Sequence, residues 1–115
     1  MKVLVCGGRT FSDRAKVYRV LDSLDKQYKI TTIIQGGARG ADQLAFDWAK
    51  DKYHVESRTF MADWNTHGKA AGAIRNREML EKGEPDLVVA FRGGRGTANM
   101  VKIAKQKGTW IIEVP

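Results

Sequence analysis

The sequence predicts a single three-layer α/β domain: a five-stranded parallel sheet in the order 3-2-1-4-5 with helices on both faces. Three observations predict it. Short apolar runs alternate with helical patterns along the whole chain, without linker, repeat or low-complexity segment, and such alternation implies parallel strands joined by helical crossovers. The runs differ in character, which sorts them into central and edge strands. Glycine-rich segments follow the first, second and fourth runs, on the sheet edge where open α/β sheets bind ligands.

Strands are expected at Lys2–Cys6, Ile30–Gln35, Val55–Phe60, Leu87–Phe91 and Thr109–Val114, each rich in Val or Ile or bounded by Gly or Pro. The first, second and fourth are almost wholly apolar, the pattern of strands covered on both faces. The third, His54-Val55-Glu56-Ser57-Arg58-Thr59-Phe60, alternates polar and apolar, and the fifth carries Glu113 and ends in Pro115; both suit edges. An order of 2-1-3-4-5 would put the apolar second strand at an edge, so 3-2-1-4-5 fits better.

Between the strands, Val17, Val20, Leu21 and Leu24 recur at helical spacing, as do Ala41, Leu44, Ala45, Trp48 and Ala49. Ser12 or Asp13 is expected to cap the first helix and Thr97 the last, with helix ends at Gly83 and Gly108. A third helix, Ala71–Lys82, has a poorer apolar stripe, as befits a helix whose polar face serves a site. Trp48 reads as core.

Composition narrows the function. The 115 residues make one domain, residues 1–115, with 43% hydrophobic and 29% charged residues, a globular rather than disordered balance. The longest apolar runs are only four or five residues, such as Leu87 to Phe91, so no membrane partner is expected. Residues 1–6 form a strand with no cleavage site after them, so the expected location is cytoplasmic. The lone Cys6 cannot close an internal disulfide and reads as a small buried filler rather than a nucleophile. No Cys/His spacing resembles a zinc site, and neither metal nor cofactor is expected. A net charge of +7 favours anionic partners.

The charge is not evenly spread. The segments Gly7-Gly8-Arg9, Gly36-Gly37-Ala38-Arg39-Gly40-Ala41-Asp42 and Arg92-Gly93-Gly94-Arg95-Gly96-Thr97 all fall at strand carboxyl ends. There, glycines admit a close ligand and the N–H groups opening a helix hold phosphate. Arg9, Arg39, Lys69, Arg75, Arg92 and Arg95 face only Asp42 and Asp63 on this rim, a net +4 of the total +7. The remaining basic residues lie beside acids, with no separate stripe for duplex DNA. None of the three segments is a dinucleotide or Walker signature. After the third strand, Trp64 stands among polar residues, either to stack on a base or to anchor its loop. Arg75 and Asn76 open the third helix toward the same edge. Asp42 is either a helix cap or an acceptor for a ribose hydroxyl or proton. His67 either donates to phosphate or is merely solvated.

Taken in order, Gly7-Gly8-Arg9, Gly36 to Asp42, Asp63-Trp64, Gly68-Lys69-Ala70-Ala71-Gly72, Arg75-Asn76-x-x-Met79 and Gly93-Gly94-x-Gly96-Thr97 resemble the YspA (cpYpsA-related) branch of the SLOG superfamily. The resemblance covers essentially the whole chain. It implies a Rossmann-like domain that binds a nucleotide or nucleotide-derived ligand, often of phage or prophage association. The ligand-binding residues it implies are Gly7, Gly8, Arg9, Gly36, Gly37, Ala38, Arg39, Asp42, Trp64, Lys69, Arg75, Asn76, Gly93, Gly94, Gly96 and Thr97. The LOG phosphoribohydrolases of the same superfamily carry Pro-Gly-Gly-x-Gly-Thr-x-x-Glu, where the Glu helps break an N-glycosidic bond. Here Arg92 stands at the Pro position and Met100 at the Glu position. A thioether neither stabilises an oxocarbenium-like centre nor positions water, so binding without turnover is the first expectation. Hydrolysis of an N-glycosidic or phosphate bond comes second, with Asp42, Arg75 and Glu78, or Asp63, as candidates. Single-stranded DNA binding, as in the DprA relatives, comes third. A homo-oligomer is also expected, because Met100, Ile103, Trp110, Ile74 and Met79 exceed what one small core needs, and relatives of this kind pair through helices beside the pocket.

Overall fold

The structure, a computed structural model, describes residues 1–115. Its elements are β1 (Lys2–Cys6), α1 (Arg14–Tyr28), β2 (Thr32–Gln35), α2 (Ala41–Lys50), β3 (Glu56–Thr59), α3 (Trp64–His67) with a following 3-10 turn (Gly68–Ala70), α4 (Ala71–Gly83), β4 (Leu87–Ala90), α5 (Arg95–Lys107) and β5 (Trp110–Glu113). The sheet runs β3-β2-β1-β4-β5 with every neighbouring pair parallel. The predicted fold class and strand order are both observed.

The alternation of side chains along each strand builds two cores. Val3, Val5, Ile33, Leu87 and Val89 face one side, against Val17, Leu21 and Leu24 of α1 and Leu44, Ala45 and Trp48 of α2. Leu4, Cys6, Ile34, Val88 and Ala90 face the other, against Met79 and Leu80 of α4 and Met100 and Ala104 of α5. Each large apolar side chain so buried contributes about 1.5–3 kcal/mol. Trp48 is fully buried, and its indole N–H donates to Asp22 Oδ1 at 2.8 Å, so its one polar group stays satisfied. Right-handed crossovers place α1 and α2 on one face as the chain steps from β1 to β3. The chain then crosses to the other side of β1, which puts α4 and α5 on the opposite face. The two walks diverge between β1 and β4, leaving a crevice at their carboxyl ends.

Several local expectations need correction. Ladders are shorter than the apolar runs: Ile30, Thr31, Val55, Phe60, Phe91, Thr109 and Val114 lie outside the strands. Ile30 is nevertheless fully buried, with its N–H taken by Asp25 Oδ1, so hydrophobicity marked the core rather than the strand limit. β3 is an edge strand as expected, exposed at three of its four positions. Asp13 caps α1, accepting from the Lys16 N–H at 3.0 Å. Thr97 caps nothing: α5 begins at Arg95 with Gly94 as its cap, because the helix starts as soon as the glycine loop turns away. The helix ends at Gly83 and Gly108 fall as expected: Gly108 caps α5 in the left-handed conformation (φ 80°), and Gly83 is the last residue of α4, buried where a side chain would press on Ile34, with Glu84 (φ 49°) turning left-handed after it. Met79 and Met100 belong to the core, so they are not surplus apolar surface; Trp110 remains exposed, edge-on to Tyr28 with ring centroids 5.6 Å apart. No helix is long and apolar enough to cross a membrane.

Candidate functional site

At the carboxyl ends of β1 and β4 the chain opens into a cleft of about 1170 Å³. Its floor is a joint between two loops. The Gly8 N–H donates to the Arg92 carbonyl at 2.8 Å, and the Gly8 carbonyl accepts from Ala41 N–H at 3.2 Å, locking the loops after β1 and β4 to the start of α2. Gly40 makes that joint possible. It sits at φ 79°, in the left-handed region, with its α-carbon turned onto the Gly8 carbonyl where no side chain fits.

One wall is the amino end of α5. Its first helical bond is donated by Ala98 to Gly94, at 3.0 Å, which leaves the N–H groups of Arg95, Gly96 and Thr97 without helical acceptors. Such a terminus carries a partial positive charge and free donors, the requirements for holding an anion.

The opposite wall is built on Arg75 of α4. Its guanidinium donates through Nη1 to the Gly36 carbonyl at 2.7 Å and through Nε to Asn76 Oδ1 at 3.1 Å. Gly36 is the residue that admits it: a β-carbon there would stand 2.6 Å from Nη1. Burial lowers the Arg75 pKa, the Asp42 carboxylate works against that, and Arg9 adds to it. Asp42 is itself buried, and burial raises its pKa against the opposing pull of the Ala38 N–H, Arg75, the Gly36 N–H and Arg9. Asp42 is the second residue of α2 rather than its cap; its Oδ2 accepts from Ala38 N–H at 3.2 Å and shapes the preceding loop.

Asn76 is the keystone between the walls. Its Nδ2 donates to the Gly96 carbonyl and to Asn99 Oδ1, both at 3.0 Å, while its Oδ1 holds Arg75. The side chain, predicted to bind ligand, spends its hydrogen bonds on positioning Arg75 and the α5 terminus. Above them α3 brings Trp64 to the rim, half exposed, with Arg9 stacked over its ring at 5.6 Å. Asp63 caps that short helix, accepting from Thr66 N–H, which explains why a turn of helix forms there.

Gly7, Gly8, Arg9, Ala38, Asp42, Trp64, Lys69, Arg75, Asn76, Gly93, Gly94, Gly96 and Thr97 all line the cleft. Gly36, Gly37 and Arg39 lie behind the wall: Gly36 supports Arg75, Gly37 packs against Met61, and Arg39 is exposed outside. Glu78 is also outside, 3.6 Å from Lys82 one turn further along α4. Met100, at the position of the LOG carboxylate, points into the core and away from the cleft, while its neighbour Asn99 lines it. The residues that sequence reading missed include Asn99, the Thr10–Asp13 stretch and, at the far end, Lys16 and Pro115, where Lys16 Nζ donates to the Pro115 carbonyl at 2.7 Å. Closeness in sequence to a glycine loop hinted at Asn99 and Thr10–Asp13, and nothing local pointed to Pro115.

Residues 1–67 match the family described as YAcAr: YspA, cpYpsA-related SLOG family. The chain is 37% identical to the Gene 61 protein of Mycobacterium phage D29, over 96% of this chain and 94% of that protein. No solved structure matches it.

Proposed function

Because the chain belongs to the YspA, cpYpsA-related SLOG family, we propose that its cleft binds a nucleotide or nucleotide-derived ligand and holds it without turnover, as a sensor, carrier or sequestering protein. One observation carries the reading. Arg9, Lys69, Arg75, Arg92 and Arg95 all line one cleft, and none of them takes part in any of the five ion pairs of the fold. Cations gathered with only buried Asp42 and the capping Asp13 for company await an external anion. In this reading phosphate sits on the N–H groups of Gly94 to Thr97, with Arg9 and Arg75 closing around it. Trp64 covers the base or ribose. The homology to a phage protein agrees with a phage or prophage role.

Hydrolysis is the second reading, and it rests on Asp42. A carboxylate with a raised pKa beside a bound glycosidic bond could take a proton from an attacking water. The test is a thermal-shift panel of AMP, ADP-ribose, NAD and cyclic nucleotides, followed by incubation of any binder and assay for released base or phosphate. Binding without release supports the proposal, and release would replace it with hydrolysis. Failure of every ligand, with the purified protein empty by mass spectrometry, would refute both. Tight, steeply salt-dependent binding of single strands alone would point to nucleic acid instead.

A further inference from the structure

The open edge of β3 carries its own recognition pattern. Glu56 N–H donates to Thr31 and Phe60 N–H to Gln35, both at 2.9 Å, so alternate residues from Glu56 turn their backbone groups toward β2. Ser57 and Thr59 therefore turn theirs outward, and both residues are exposed. Natural edge strands are commonly protected by charged side chains, lysine above all, by proline or by a bulge. Residues 55–61, Val-Glu-Ser-Arg-Thr-Phe-Met, contain neither lysine nor proline, and their two charges, Glu56 and Arg58, are opposite in sign and two residues apart.

We propose that β3 is a homodimer interface, in which two copies pair their β3 edges antiparallel about a two-fold axis at Ser57 and form one continuous ten-stranded sheet. Two registers use the outward groups near the middle of the strand. Pairing Ser57 with Thr59 sets Arg58 directly opposite Arg58, a like-charge contact. Pairing Ser57 with itself sets Glu56 opposite Arg58 twice across the axis, two opposite-charge cross-strand pairs on one face. Ser57 then exchanges N–H and carbonyl bonds with its own copy. The side chains at the strand's two ends agree with this choice of partner. Tyr53, in the turn before the strand, is fully exposed, and Met61, just after it, is 70% exposed, so both flanks offer apolar surface that an antiparallel second copy would cover. A partner of different sequence would need to supply both charges in reverse order, whereas a second copy supplies them automatically. This inference is independent of the ligand.

Sedimentation equilibrium at micromolar concentration tests it. The wild type should run at twice 12.9 kDa. Glu56→Arg and Arg58→Glu should each weaken association about tenfold or more, and the double variant should restore it, since the swap regenerates the pairs. Both positions are off the core, so circular dichroism should find all variants folded. In parallel, Ser57→Cys should form a disulfide dimer under mild oxidation, because hydrogen-bonded antiparallel residues lie about 5.5 Å apart at Cα; Lys26→Cys on α1 should not. A monomeric wild type, or a dimer indifferent to both charge reversals, or one cross-linked no better at Ser57 than at Lys26, would overturn the proposal.

Discussion

Replacing Asn76 with alanine tests whether the cleft is held in shape before any ligand arrives. The substitution removes three hydrogen bonds: two neutral ones, to the Gly96 carbonyl and Asn99 Oδ1, and one from the Arg75 guanidinium. The neutral bonds contribute about 1 kcal/mol each and the charged one about 1.5–3 kcal/mol. Asn76 is 4% exposed, so the groups left behind are poorly reached by water, although water entering the vacated space offsets part of the loss. A net destabilisation of about 3 kcal/mol follows. With an unfolding entropy of about 2.1 cal/mol/K per residue, 115 residues give ~0.24 kcal/mol/K, and Tm should fall by about 12 °C. Urea denaturation with an unchanged slope would locate the effect in the native state. Asn76→Asp keeps the acceptor for Arg75 and loses both donated bonds, so it should fall between wild type and Asn76→Ala. A loss under about 1 kcal/mol for the alanine variant would refute the assignment of Asn76 as the link between the walls.

Three more outcomes are expected. Arg75→Ala should weaken any nucleotide that the panel identifies by about 1.5–3 kcal/mol, roughly tenfold to 150-fold by calorimetry; an unchanged Kd would remove Arg75 from the site. Burial, with the charges of Asp42 and Glu113 adding to it, pushes the Cys6 thiol up to about 12, so a maleimide should leave native Cys6 unlabelled at neutral pH and label it fully in urea. Rapid native labelling would contradict its place in the core. Asp25 behaves in the opposite sense. Burial alone would raise its pKa, but the bonds from Ile30 N–H and His54 outweigh it and hold the carboxyl below its ordinary 3.8. A lowered native pKa stabilises the fold at pH above the unfolded value, and this contribution disappears as pH falls through the native one. Asp25→Asn should therefore flatten the acid limb of the stability curve below about pH 4; an identical acid limb in both proteins would rule out Asp25 as a contributor.

Local chemistry determined much of this protein. Strands buried on both faces have no polar side to display, so the unbroken apolar runs of β1, β2 and β4 marked the centre, and polar β3 and charged β5 the edges. With right-handed crossovers this was enough to fix the order and to bring three glycine segments to one end. The ordered motifs, from Gly7-Gly8-Arg9 to Gly93–Thr97, identified the family. What the tertiary structure decided is which atoms face the cleft. A helix carries residues on every side, and its rotation over the sheet is set by packing that a single sequence does not display. For that reason Glu78, one of the candidate carboxylates, fell on an outer face, and Met100, at the position of the LOG glutamate, fell in the core. Arg39 and Gly37 passed behind the wall while Asn99 came into it. Trp64 began a helix only one turn long, too short for any periodicity to announce. Asn76, written into the motif as a polar neighbour of Arg75, acquired its positioning role only when the start of α5 came within 3.0 Å of it, a meeting of residues twenty positions apart that no local rule contains.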